Sequence, residues 1–261
     1  MRLMNQVREC AVPKGETAVW WLGQNGWIFK SHEGTTVGVD LYLTDSCATL
    51  PDAQRIDLRR AVPVLVAPEE LELDVFACTH NHQDHTDPDT IRGLRNKDTM
   101  LFLGPPPSCE SFTREGVESG RTKVFWPKAE WEFRDLKIRG TFALPTDSSD
   151  LCHMGFVLEF AGGPRFYITG DTDYHELLLE AASVKPDFLI TCINGGFNNL
   201  SHWEAAALAK GIRPRAAVPC HYDMFRSNSA NPRNFEAALA LQAPETAYHE
   251  MRHGQLWLAT R

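Results

Sequence analysis

Thr79-His80-Asn81-His82-Gln83-Asp84-His85-Thr86-Asp87 closes an apolar, β-rich run at residues 74–79 (DVFACT) and puts four potential metal ligands within six residues. His80 and His82 alternate, so in extended backbone they point the same way. A turn after them brings Asp84 and His85 round to a neighbouring position. Neutral imidazoles with a carboxylate are a ligand set that suits zinc, manganese or iron. A solvated polar loop is a poor account of a window that holds three of the chain's ten histidines.

Two further strand ends carry ligand-type residues. Residues 165–169 (RFYIT) run into Gly170-Asp171, and residues 216–219 (AAVP) run into Cys220-His221. Glycine at 170 lets the chain turn tightly and bring the Asp171 carboxylate towards a metal. Taken singly, a strand-end aspartate is usually a turn or cap residue, and a lone histidine is usually surface or core. Together with the histidine cluster, three strand ends present ligands at one rim of a layered fold.

The remaining pattern fits such layers. Residues 18–22, 26–30 and 36–40 read as a strand meander broken by GQN and HEGT. Further strands are expected at 100–103, 123–126, 136–143, 155–160, 187–191 and 255–259. Helical patterns fall at 174–184, at 201–210 with Ser201 and Glu204 as a capping box, and at 231–241, which opens Asn-Pro. Strands first, then strands alternating with helices, imply sheets covered by helices on their outer faces. No linker or repeat divides the chain, so one domain over 1–261 is expected. Trp20 and Trp21 read as core.

Composition narrows the function classes. The 261 residues carry 26 Lys+Arg against 34 Asp+Glu, a net charge of -8, with 43% hydrophobic residues. That is too apolar for a disordered chain, and the acidic balance argues against general nucleic-acid binding. No apolar stretch approaches the roughly 18 residues of a membrane span. The first residues lack an apolar signal region. Seven scattered cysteines with no CxxC suit buried free thiols in a reducing compartment. A cytoplasmic protein without membrane or nucleic-acid partners is expected.

The HxHxDH block, a Gly170-Asp171-Thr172 after a strand and a late strand-end histidine resemble the metallo-β-lactamase superfamily. The subgroup it looks most like is the L-ascorbate-6-phosphate lactonase-like group. Trp20-Trp21-Leu22-Gly23 with Gly26, Gly34-Thr35 with Val39-Asp40, and Pro219-Cys220-His221-Tyr222-Asp223 extend the resemblance over most of the chain. It implies an α+β fold, a four-layer αββα sandwich of two mixed sheets with helices on the outer faces. It also implies one or two divalent ions, Zn2+ or Mn2+. His80 and His82 would hold a first ion, Asp84 and His85 a second, with Asp171 bridging and His221 completing the second site. Many superfamily members carry a third histidine for the first ion. Here His153, the one histidine between His85 and Asp171, is either that ligand or a core histidine at the start of a strand. Asp147 is the alternative occupant of the position.

The implied activity is a metal-dependent hydrolase. The expected substrate is the lactone ring of a small sugar acid, phosphorylated or not, opened by water activated at the metal. Asp84 is the candidate to orient that water or carry its proton. Phosphodiesters are cleaved by the same machinery, so a phosphodiesterase or nuclease is the first rival, and a non-catalytic metal-binding protein the second. Arg226, Asn198 with Asn199, and Tyr174 are candidate substrate contacts, Arg226 through two-pronged pairing with an anion; Gln24 is a further one. Cys220 and His221 are sequence neighbours in a strand and face opposite ways, which disfavours a Cys–His nucleophile. Lactonases of the group form homo-oligomers, which implies one here.

Overall fold

The computed structural model describes residues 2–261. Helix α1 (Leu3–Glu9) precedes three antiparallel strands, β1 (Glu16–Trp21), β2 (Trp27–Ser31) and β3 (Thr36–Val39). A long connection leads to β4 (Val75–Ala77), followed by α2 (Pro88–Gly93), β5 (Leu101–Gly104), α3 (Pro106–Arg114) and β6 (Thr122–Val124). The second half contains β7 (Glu130–Phe133), β8 (Leu136–Phe142), β9 (Met154–Phe160), β10 (Arg165–Ile168) and β11 (Phe188–Cys192). It ends with α4 (His202–Ile212), β12 (Ala216–Cys220), α5 (Pro232–Gln242), β13 (Ala247–Tyr248) and β14 (Trp257–Thr260).

These strands make two seven-stranded mixed sheets, ordered β14-β1-β2-β3-β4-β5-β6 and β13-β12-β11-β10-β9-β8-β7. In each, an antiparallel half passes into a parallel half, at β3–β4 in one and β10–β11 in the other. Side-chain alternation explains why both faces of the first sheet are covered. Val19 and Trp21 of β1 join the inter-sheet core, while Ala18 and Trp20 join the core beneath α1, α2 and α3. Val75 and Ala77 against Phe76 repeat the division in β4. Phe29 meets Phe166 at 5.0 Å between ring centroids, joining the two sheets. Helices α4 and α5 bury Ala205, Leu208, Phe235 and Leu239 against the second sheet. The layers are helix, sheet, sheet, helix, as the resemblance implied.

Every strand expected from the sequence is present to within two or three residues at either end. The segment expected as a helix at 174–184 is a 3-10 helix over Glu176–Val184, capped by His175; its composition does not explain the tighter winding. Helices α1, α2 and α3 and edge strands β7 and β13 were not anticipated. Ser201 and Glu204 form the expected capping box. All seven cysteines are free, five of them buried. Among the described residues, no helix is long and apolar enough to cross a membrane.

Candidate metal centre

The parallel halves of both sheets end at the same rim, and the ligand-type side chains stand there. The chain leaves β4 at Ala77 and turns at once, so His80 and His82 lie in bends rather than in extended strand. Thr79 anchors the turn through its backbone N–H, 2.7 Å from Asp40 Oδ1, and its hydroxyl, 2.6 Å from Oδ2. The His85 and Thr86 amides then donate to the His82 carbonyl at 2.9 and 2.8 Å. This closes the loop so that His85 points back beside His80, with ring centroids 4.0 Å apart. Asp87, the last residue of the block, is spent on structure: it caps α2 and accepts from Ser46 and Thr90.

Two groups of donors result. In the first, ligand atoms of His80, His82 and His153 lie within 4.8 Å of one another. His153 immediately precedes β9, and its ring stacks on His80 at 4.0 Å. Its Nδ1 lies 3.1 Å from the Asp171 carbonyl, which fixes the ring and leaves Nε2 buried without a partner. His80 Nε2 is likewise buried and unpartnered. Asp147 reaches only His82, at 3.4 Å, and its other oxygen accepts from the Ser149 amide and hydroxyl. Of the two alternatives for the third donor, the geometry favours His153.

The second group is tighter. Asp84 Oδ2 lies 3.6 Å from His85 Nε2 and 3.5 Å from His221 Nε2. Asp171 Oδ1 lies 3.3 and 3.1 Å from the same two nitrogens, which are 3.3 Å apart. A tetrahedral zinc site with bonds of about 2.0–2.1 Å has edges of about 3.3 Å. Asp84 with His85 and His221, and Asp171 with the same two imidazoles, are therefore each spaced like one face of such a site. His80, His85 and Asp171 also form a group of ligand atoms within 4.8 Å, so Asp171 stands between the two sites.

Local sequence explains how Asp171 arrives there. Gly170 has φ +63°, and a Cβ on it would lie 2.9 Å from both the Met154 carbonyl oxygen and Thr79 Cβ. Asn199 donates to Asp171 Oδ2 at 2.8 Å, turning Oδ1 towards the imidazoles. Gln24, in the turn between β1 and β2, accepts from the His221 backbone N–H at 3.0 Å. Its side-chain nitrogen donates to Asp84 Oδ2 at 2.6 Å and lies 2.8 Å from His221 Nε2. Cys220 points away, its thiol 3.2 Å from Asn25 Oδ1, so it forms no nucleophilic pair with His221.

Electrostatics divide the imidazoles. Burial, reinforced by His85 and His153, holds His80 well below the ordinary histidine value. Burial lowers His153 as well, against the opposing pull of Asp171. Both are neutral and offer free lone pairs. Burial also opposes charge on His85 and His221, but the carboxylates outweigh it. Asp171, Asp84 and Asp40 raise His85 well above its ordinary value, and Asp171 with Asp84 raises His221 to about 9. Burial likewise works against ionisation of Asp84 and Asp171, yet the facing imidazoles hold both below the usual carboxylate range. Protons on His85 and His221 thus stand in for positive charge between two buried carboxylates.

A cavity of about 440 Å³ opens over the donors. Leu50, Ile56, Leu58, Phe197 and Phe225 are its apolar lining, and Asp52, Asp147 and Asp150 line it with the two donor aspartates. No lysine or arginine lines it. Of the candidate substrate contacts, Arg226, Asn198 and Tyr174 are outside that lining. Arg226 is exposed at the start of a short 3-10 turn, beyond Phe225. Asn198 donates to the Thr146 carbonyl at 2.8 Å, and Tyr174 packs on the inter-sheet core. Asn199, expected as a hydrogen-bonding candidate, holds Asp171 from behind, and Asp40 and Asn25, which the sequence reading did not single out, support the other donors.

Residues 18–221 match the family model described as Beta-lactamase superfamily domain. The chain is 30% identical over 177 residues to a UPF0173 metal-dependent hydrolase of Thermoplasma acidophilum, covering 66% of this chain and 75% of that protein. It is 27% identical over 244 residues to one of Anaeromyxobacter dehalogenans, covering 87% and 82%. Among solved structures it resembles Igni18, a metallo hydrolase of Ignicoccus hospitalis, with TM-score 0.74 and 18% identity over 94% of this chain and 99% of that one. An isothiocyanate hydrolase from Delia radicum gut bacteria superposes with TM-score 0.72 and 19% identity, over 92% and 98%.

Proposed function

Because the chain belongs to the UPF0173 metal-dependent hydrolase family of the metallo-β-lactamase superfamily, we propose that its rim site holds two divalent cations, zinc or manganese, and hydrolyses a small lactone or related ester. The observation that carries this reading is the gathering of the Asp84 and Asp171 carboxylates on the imidazoles of His85 and His221, with three further histidine donors beside them. His80, His82 and His153 would hold one ion, and Asp84, His85 and His221 the other, with Asp171 between them. Ions held there would polarise a carbonyl oxygen and lower the pKa of water to about 7.

The chain's own groups account for positioning and proton transfer. Asp84 borders the cavity and is held by Gln24, so its carboxylate is aimed where water would approach a bound carbonyl. Ionised, it takes a proton from that water as the new C–O bond forms. When the ring C–O bond breaks, it returns the proton to the departing alkoxide. The phosphodiesterase alternative finds no support in the cavity, where five carboxylates and no lysine or arginine would face a phosphate backbone. The same argument disfavours a phosphorylated lactone.

The test is turnover of simple lactones, aryl esters and an isothiocyanate, the last being the substrate class in the name of one structural relative. Metal-loaded protein is expected to open a lactone, and Asp84→Asn to lower kcat by about a hundredfold or more. Metal-loaded protein that turns over the isothiocyanate and no lactone or ester would replace the ester reading.

A further inference from the structure

Phe197 sits at the cavity mouth with its backbone in the left-handed region, φ +54°, between Gly195 at +65° and Asn198 at +56°. Glycine and asparagine adopt that region readily, but a bulky aromatic residue there is a conformational outlier. The loop around it is over-determined. Asn198 is tied to the Thr146 carbonyl, the Asn199 amide donates to the Gly196 carbonyl at 3.0 Å, and Asn194 donates to Asn228 at 2.9 Å. Yet the residue is 55% exposed, so folding alone does not repay the strain. It lines the cavity that also holds Leu50, Ile56, Leu58 and Phe225, together with five carboxylates.

We propose that Phe197 and these aliphatic and aromatic side chains form a slot for an uncharged, apolar tail, alkyl or aryl, on the substrate. Only the placement of the reacting carbonyl at the metal centre rests on the hydrolase reading above; the slot itself does not. A phosphate or carboxylate on the tail would meet Asp52 and Asp147 with no cation to pair it, so such substrates are rejected. Phe197 is then a specificity-determining residue, held in a strained conformation so that its ring meets the ligand.

Two measurements on the zinc-loaded protein separate this proposal from the one it rests on. The first is kcat/KM for γ-lactones with alkyl tails of increasing length, alongside a tail ending in phosphate. The second is calorimetric binding of acetohydroxamic against octanohydroxamic acid, which needs no turnover. In the wild type, kcat/KM is expected to rise about threefold for each added methylene while the tail remains in the slot. The longer hydroxamate should bind tighter by tenfold or more, and the phosphate-ended lactone should be the poorest substrate. Phe197→Gly removes the ring and the strain together, so it should fold with equal or higher Tm and lose most of the length dependence, in hydroxamate binding as in kcat/KM. Phe197→Leu should keep part of it. Wild-type affinity indifferent to tail length, or a preference for the anionic tail, would overturn the slot. Full length dependence in Phe197→Gly would overturn the role given to Phe197. Tail-dependent hydroxamate binding without turnover of any lactone would uphold the slot and remove the lactonase reading instead.

Discussion

Asp40 stands behind the metal centre and receives four donors: the Asn25 amide, the Thr79 N–H and hydroxyl, and His85 Nδ1 at 2.7 Å. The last contact fixes which His85 nitrogen faces the cavity, the usual role of a carboxylate behind a metal-binding histidine. In Asp40→Asn an amide N–H would face donors in a site with no solvent exposure. A loss of about 1–3 kcal/mol is expected in denaturant unfolding. Metal affinity should drop by about 10–100-fold in chelator competition; unchanged affinity would show that His85 is not oriented this way. At Gly170, alanine combines a positive φ with contacts of 2.9 Å to the Met154 carbonyl and Thr79. Gly170→Ala should cost about 2 kcal/mol or more, read in the same unfolding experiment.

The connection between β3 and β4 acts as an element in its own right. Its residues Leu50, Ile56 and Leu58 supply the apolar cavity wall, and its packing is a small separate core of Tyr42, Cys47, Val62, Met224 and Phe225. Arg60 pins it: the guanidinium donates to the carbonyls of Tyr42, Thr44 and Val62 and lies 4.8 Å from the Tyr42 ring centroid. Arg60→Ala leaves those carbonyls unpaired while the two sheets keep their cores. The expected result is faster proteolytic nicking within residues 46–58 and a raised KM with kcat little changed. Loss of kcat alone would argue that the segment does more than shape the cavity. Nothing in its sequence announced this role, because it has neither the period of a strand nor that of a helix.

At the scale of the whole molecule, the ligand rim was legible because every ligand but His153, which precedes β9, follows an apolar strand in the chain. Its supports were not, because they are neighbours only through sheet register. Parallel pairing of Val39 with Ala77 is what sets Asp40 beside Thr79, and the β1–β2 turn meets His221 across both sheets. Edge strand β7 did carry a readable alternation, Glu-Trp-Glu-Phe, but its exposed–half-buried pattern is too short to stand out. The assembled rim also fixes a pH dependence. Without metal, His221 keeps its proton up to about 9 and His85 is raised in the same direction. An entering cation must displace those protons, so its affinity should rise with pH through neutrality, by up to about tenfold per unit for each proton released, with the His221 share levelling off above about 9. Titrations with zinc across that range, with proton release followed by a buffer-ionisation series, check the sign. The most direct test of the account is metal stoichiometry by mass spectrometry of the purified chain and its His153→Ala variant, each loaded with zinc or manganese and desalted. Two ions per wild-type chain and one per variant chain are predicted, with His221→Ala losing the other. One ion in the wild type, unchanged by His153→Ala, would contradict the two-site assignment, and no bound ion under any loading would contradict the metal centre itself.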